Sequence, residues 1–411
     1  MKKIYMIVTL WALLIIQLLP MQVLAVESSQ RNNGILTSSE IDMLNEYSSS
    51  LANNSLIIEL KKANLLDEFA DFLEEKVEIQ ITKDEKSMLE QLKVWGIEPS
   101  HTVKDIGIMA QEYLNKHMYN IKINSNEFHE LVAEYFNNNY PMYEIAEKDS
   151  EFGALYVYMC IYYDNFCSES GYMPSSHILK TSSLNQNQKR FKEKVECSDI
   201  REIVADDVER NVKATYTNLY VKEYAQRAAV DGNDPVWPNL NGNAIQSYAR
   251  TYANESDDDY HNSYYIYIDG GDCTNFVSQA LFNGYLPMTY YVSDQNGNGY
   301  TDTSERWFYF NNSSTTGYSI STCWVRVVEL YDYLSPHYAC GENYASTAMS
   351  PYLNKGFVLQ GKPFIGKYKH SVIVTITNGQ LTYCGHSSQR VDEPIATFYD
   401  SFYKCRVIQV Y

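Results

Sequence analysis

The sequence has no Cys-x-x-Cys pair, although it holds eight cysteines in 411 residues. That excludes zinc ribbons and thioredoxin-like redox motifs. Its histidines show no metal-binding spacing either. His101, His117, His129 and His177 are scattered, and with His261 and His337 they read as surface or core residues. Positive charge is scarce, with 33 Lys and Arg against 51 Asp and Glu and a net charge of −18. Such a surface repels nucleic acid and anionic lipid, so neither is expected as a partner. After residue 25 no apolar run is long enough to span a bilayer.

What is present begins with residues 1–25. Lys2 and Lys3 precede an apolar run that ends in Val23-Leu24-Ala25, the anatomy of a cleaved secretory signal. The expected location is therefore secreted, either extracellular or associated with the cell wall. Export permits disulfides. One catalytic thiol among eight cysteines would leave an odd number, so not all could pair. Hydrophobic content of 45% supports real cores. The 37 tyrosines suit a wet, sugar-bearing polymer, and they also fill cores.

The chain divides into four parts. Residues 1–25 are the signal, 26–177 a mostly helical domain, 178–211 a polar linker and 212–411 a second domain. In the helical part, Thr37 with Glu40 and Thr82 with Glu85 fit capping boxes, and Thr102 and Asn124 suit two further caps. Leu65, Phe69, Phe72 and Leu73 recur at helical spacing. No chemistry is evident there. In the second domain, helices are expected over 214–230 and 243–254. A short strand over Tyr264–Ile268 then runs into Gly270-Gly271.

Gly271-Asp272-Cys273 opens the informative segment. Glycines permit a sharp turn, and Asp272 is placed to cap the following helix. Cys273 then falls in the first helical turn, where free N–H groups and the dipole favour a thiolate nucleophile. The same N–H groups suit an oxyanion. Cys273, Phe276, Val277, Ala280 and Leu281 also share one helical face. The stripe alone equally allows a merely buried cysteine.

The segment Gly-Gly-Asp-Cys-Thr-Asn-Phe-Val-Ser-Gln-Ala-Leu, 270–281, resembles the signature of the bacterial Putative amidase domain. That family is related to papain-like, NlpC-type and CHAP-type cell-wall peptidases and amidases. The resemblance extends over about 214–400, through Tyr220 to Val230, Trp307, Trp324, Lys369-His370-Ser371 and Gly385-His386-Ser387. It implies Cys273 as nucleophile, His370 as base and His386 as the residue orienting it. It also implies peptidoglycan, or another cell-wall amide, as substrate. Where family members often carry an acid beside the histidine, this chain has Lys369, which disfavours an imidazolium.

Asn378-Gly379 marks a hairpin between the strand that His370 begins and one running from Gln380 to His386. A three-residue loop would place His370 opposite His386. A two-residue loop would place it opposite Ser387, send His386 to the other face, and gather Val372, Val374, Ile376, Leu381 and Tyr383 on one side. His386 is preferred by resemblance, with Ser387 as the alternative.

Residues 294–305 match a twelve-residue EF-hand loop. Side-chain oxygens come from Asp294, Asn296, Asn298, Asp302 and Glu305, a carbonyl from Tyr300, and glycine stands at position six. Structural calcium is the one cofactor this suggests, and the chemistry itself requires none. An Asn/Gly-rich turn is the competing reading.

The expected fold is α+β: a helical domain, then a papain-like domain in which the Cys273 helix packs on an antiparallel sheet from about 357–411. A Cys273 acyl-enzyme is the expected intermediate, with Tyr265 or Tyr267 supporting the oxyanion. Two other readings stand beside it, a secreted cysteine protease or toxin acting on proteins and a non-catalytic wall-binding protein.

Overall fold

A computed structural model describes residues 66–117, 119–166, 189–213, 237–253, 262–268, 271–295, 299–303, 305–312, 317–386 and 390–411. The signal segment, the Thr37 capping box, the helix expected over 214–230, Gly270, Asn296, Asn298, Ser387, His177, His261 and Cys167 lie outside these residues. A first unit, Met1–Glu75, contributes the start of one helix to them. Everything else forms a single compact unit, Lys76–Tyr411.

The unit opens with helices α1 (Leu66–Val94), α2 (Val103–Lys116), α3 (Asn126–Asn137), α4 (Met142–Lys148) and α5 (Ser150–Phe166). Thr102 caps α2 in a closed capping box with Asp105. The cap of α3 is Ser125 and not Asn124, which adopts a left-handed φ of 63° one residue earlier. Thr82 lies inside α1, its hydroxyl donating to the Glu78 carbonyl. No helix begins there, because Val77, Met88 and Leu92 continue one buried face across it. Helix α5 is buried on nearly every side, and Tyr156, Tyr158 and Tyr162 are sealed from solvent. Each such side chain contributes about 1.5–3 kcal/mol.

The segment expected as a linker is partly structural. A further helix, α6, covers 200–213. Phe191, Ile200, Val204, Val208 and Val212 join the helical core, together with Phe364, Ile365 and Tyr403 from the C-terminal region. An apolar residue at every fourth position of α6 was masked in composition by the charges around it.

The C-terminal region is mixed helix and sheet. Six antiparallel strands run β4 (Ala339–Tyr344), β9 (Lys404–Gln409), β5 (Val358–Lys362), β6 (His370–Thr377), β7 (Gln380–Gly385) and β8 (Arg390–Pro394) across the sheet. A smaller sheet holds β1 (Gly299–Thr301), β3 (Gly317–Ser321) and β2 (Tyr309–Asn312). Helices α7 (Gly242–Tyr252) and α8 (Cys273–Asn283) pack on β6 and β7, with α9 (Thr322–Val325) and α10 (Val327–Leu334) beyond them. Helix α11 (Ile395–Ser401) also contacts the sheet. The architecture is α+β. Tyr264–Ile268 does not form the expected strand. Two of its N–H groups go to side chains, Ile266 to the Tyr309 hydroxyl and Ile268 to Asp272, and that of Tyr265 to the Asn262 carbonyl.

The hairpin register settles the two-loop question. Thr377 pairs with Gln380, and Val374 with Tyr383. Asn378 and Gly379 both take left-handed φ, 51° and 79°, as a two-residue type I′ turn requires. Side chains alternate across a strand. Gln360, Ser371 and Arg406 therefore face α8 and α10, while Gly361 and His370 face Phe402.

Candidate active site

Cys273 is the first residue of α8 and 5% exposed. The Ser371 N–H and the Thr274 hydroxyl, 3.7 Å away, hydrogen-bond its sulfur. Val327 and Tyr368 pack around it. Burial pushes the thiol above its ordinary value, and those two hydrogen bonds only partly offset the rise. In this arrangement the sulfur is a protonated thiol at neutral pH.

Asp272 does not cap α8. Its Oδ1 instead accepts from the Ile268 N–H at 2.9 Å and the Asn275 amide at 2.7 Å. Its Oδ2 accepts from His386 Nδ1 at 2.5 Å. The other His386 nitrogen lies 2.6 Å from the Tyr252 carbonyl. Both ring nitrogens of His386 therefore face oxygen atoms. Its ring lies on Phe276, centroids 4.1 Å apart. The result is a buried hydrogen-bonded pair that ties β7, α7 and the turn before Cys273 together.

His370 stands elsewhere. Its ring lies near Phe398 and Phe402, and its Nε2 is 3.0 Å from the Asn139 amide nitrogen. Burial, then the charges of Lys369 and Arg390, hold it well below the ordinary imidazole value. The two-residue loop puts His386 on the Cys273 face and His370 on the other. The structure thus joins Asp272 and His386 beside Cys273, but does not join His386 to His370.

Of the other expected residues, Tyr265 is a core ring against Tyr309 and Trp324. Tyr267 is 43% exposed, its ring 6.2 Å from His386. In the 294–305 loop, Asp294 is buried and pairs with Arg306 at 2.9 Å. Asp302 is largely exposed and within 3.6 Å of Arg326, and Tyr300 lies in β1. Among the described residues no group of three His, Cys, Asp or Glu side chains stands close enough to hold a metal. Arg306 is thus the described partner of Asp294, while Asn296 and Asn298 lie outside the described residues.

Asn139 carried no functional signal in the sequence. It follows Asn137 and Asn138 and precedes Tyr140-Pro141, a turn pattern. Its partner is 231 positions away.

The family described as Putative amidase domain has a model that matches residues 239–408. Over these residues the chain is similar to that family. The match supports a hydrolase acting on amides. No curated protein and no solved structure matches the chain. The amidase domain so defined contains Cys273, His370 and His386, and leaves Asn139 outside. Among the described residues no helix is long and apolar enough to cross a membrane.

Neutral histidines in the amidase domain give it an acid sensitivity. Burial lowers His337 to about 4, its ring stacked on Trp237 at 3.7 Å. A folded state that binds the proton more weakly than the unfolded chain keeps its stability above the ordinary value of about 6.5. It then loses stability as pH falls toward 4. His370 shares that direction. Urea midpoints should therefore decline between about pH 6.5 and pH 4, less steeply in His337→Asn. A parallel decline in wild type and variant would remove His337 from the cause.

Proposed function

We propose that the protein is an exported, cysteine-dependent amide hydrolase of papain-like architecture, acting on peptidoglycan. The observation that carries this is Cys273 as the first residue of α8, beside the Ser371 N–H, within the amidase domain. No side chain caps the helix. Its first N–H groups are thus positioned for the negative oxygen of a tetrahedral intermediate.

The sulfur attacks the amide carbonyl carbon, and its proton passes to the base. The C–N bond then breaks, the amine leaves with that proton, and the acyl group remains on sulfur. Water gives one proton to the base and adds its OH to the acyl carbon, the C–S bond breaks to free the acid, and the base returns the proton to sulfur. His370 is the proposed base, which requires its Nε2 to be released and its ring to reach the Cys273 face. The Asp272–His386 pair is a positioning element, holding the turn that presents Cys273. Export is read from residues 1–25. The wall polymer is read from the family resemblance together with export.

Purified peptidoglycan incubated with the protein should yield soluble fragments carrying new amino and carboxyl ends by mass spectrometry. Cleavage of denatured protein substrates, with peptidoglycan untouched, would replace the wall substrate by a protein one.

A further inference from the structure

The helical region reaches the amidase domain at the one residue whose lone pair the mechanism needs. Asn139 sits in the turn between α3 and α4 with a left-handed φ of 52°. Its amide orientation is fixed by neighbours. Lys369 Nζ, which can only donate, lies 3.4 Å from Oδ1. The Nδ2 group therefore faces His370 Nε2 and donates to it. The imidazole then holds its own proton on Nδ1, and its basic nitrogen is capped.

The surrounding contacts hold the turn in place. Ser401 donates to the Asn139 carbonyl at 2.8 Å. Lys369 donates to the Phe136 carbonyl, its ammonium over the Phe136 and Phe402 rings. The strand entry is gripped too. Tyr156 accepts from the Phe364 N–H, and Asp207 accepts from Lys362 and the Gly366 N–H. His370 thus faces away from Cys273 by the register of β6, and its lone pair is capped from the helical region.

We infer that the helical region latches the amidase domain so that only a fraction of molecules is active at any moment, with Asn139 as the bolt on His370. The inference rests on His370 being the base for Cys273. The charged groups around the ring are Lys369 and Arg390, and burial adds to their effect in keeping it neutral. Withdrawal of the 136–140 turn frees Nε2 and loosens the segment that leads into β6.

Asn139→Gly in the full chain tests this, because glycine tolerates the left-handed φ and removes only the amide. Two readouts are needed: the iodoacetamide rate at Cys273, and the His370 titration followed by imidazole NMR. A donor to Nε2 favours the neutral ring, so its loss should raise the titration midpoint. Cys273 alkylation should quicken about tenfold, the population change one hydrogen bond commands. Asn139→Ala should act in the same direction, and far-ultraviolet circular dichroism verifies that each variant is folded. Alkylation that is unchanged or slower in the folded variants overturns the latch. If alkylation and titration both rise while no peptidoglycan fragment appears, the latch stands and the wall-hydrolase reading falls.

Discussion

Asp207→Ala is expected to lower stability by about 3–5 kcal/mol, because it leaves a buried ammonium without its counter-charge. Lys362 Nζ lies 2.9 Å from Asp207 Oδ2, with side-chain exposures of 3% and 2%. Oδ1 also accepts from the Gly366 N–H at 2.9 Å and from Arg210 at 2.8 Å. Burial alone would raise this carboxyl, yet Lys362 and Arg210 hold it below the ordinary value. Its stabilisation is thus present above about pH 4 and lost as pH falls through the lowered value. Urea unfolding at neutral pH measures the effect. Asp164→Ala, which removes a weaker 3.4 Å contact to the half-exposed Arg210, should cost under about 1 kcal/mol. Replacing Asp207 and Lys362 together by apolar residues should recover much of the loss, since the isolated charge is the cost. Equal losses for the two single variants would show that the buried pair is not what fastens α6 to the sheet.

That junction marks where sequence reasoning stopped. Local signals were legible. Thr102 closes its capping box, and Asn378-Gly379 makes the two-residue turn that its residue types demand. The Cys273 helix and its sheet followed from an apolar stripe and alternating strands. The hairpin register could also be read, since the two-residue loop gives the better apolar face, and it is the register observed. Family resemblance favoured the other pairing, and here the physical pattern was the better guide.

Contacts between distant segments had no local signature. Asp272 fits an N-cap by position, yet the approach of His386 and Ile268 redirects its oxygens. Lys369 looked like a departure that weakens the site, whereas it is buried against Phe136 and Asn139 of the helical region. Lys362 likewise finds Asp207, 155 positions earlier. Asp294, read as a loop ligand, pairs with Arg306, a contact with no signal in the loop's spacing.

Cys273→Ser should abolish amide hydrolysis, by at least about a thousandfold, as loss of a covalent nucleophile does. Serine is nearly isosteric and accepts the same Ser371 N–H, so the fold should survive. A hydroxyl has a far higher pKa than a thiol, and the neutral His370, already disfavouring a proton, cannot activate it. The measurement closest to the central claim is the intact mass of the protein quenched in acid during turnover of peptidoglycan fragments. The account predicts an acyl adduct that maps to Cys273 and is absent in Cys273→Ser, with hydrolysis lost in the same variant. Hydrolysis that continues in Cys273→Ser, or an adduct on another residue, would contradict it.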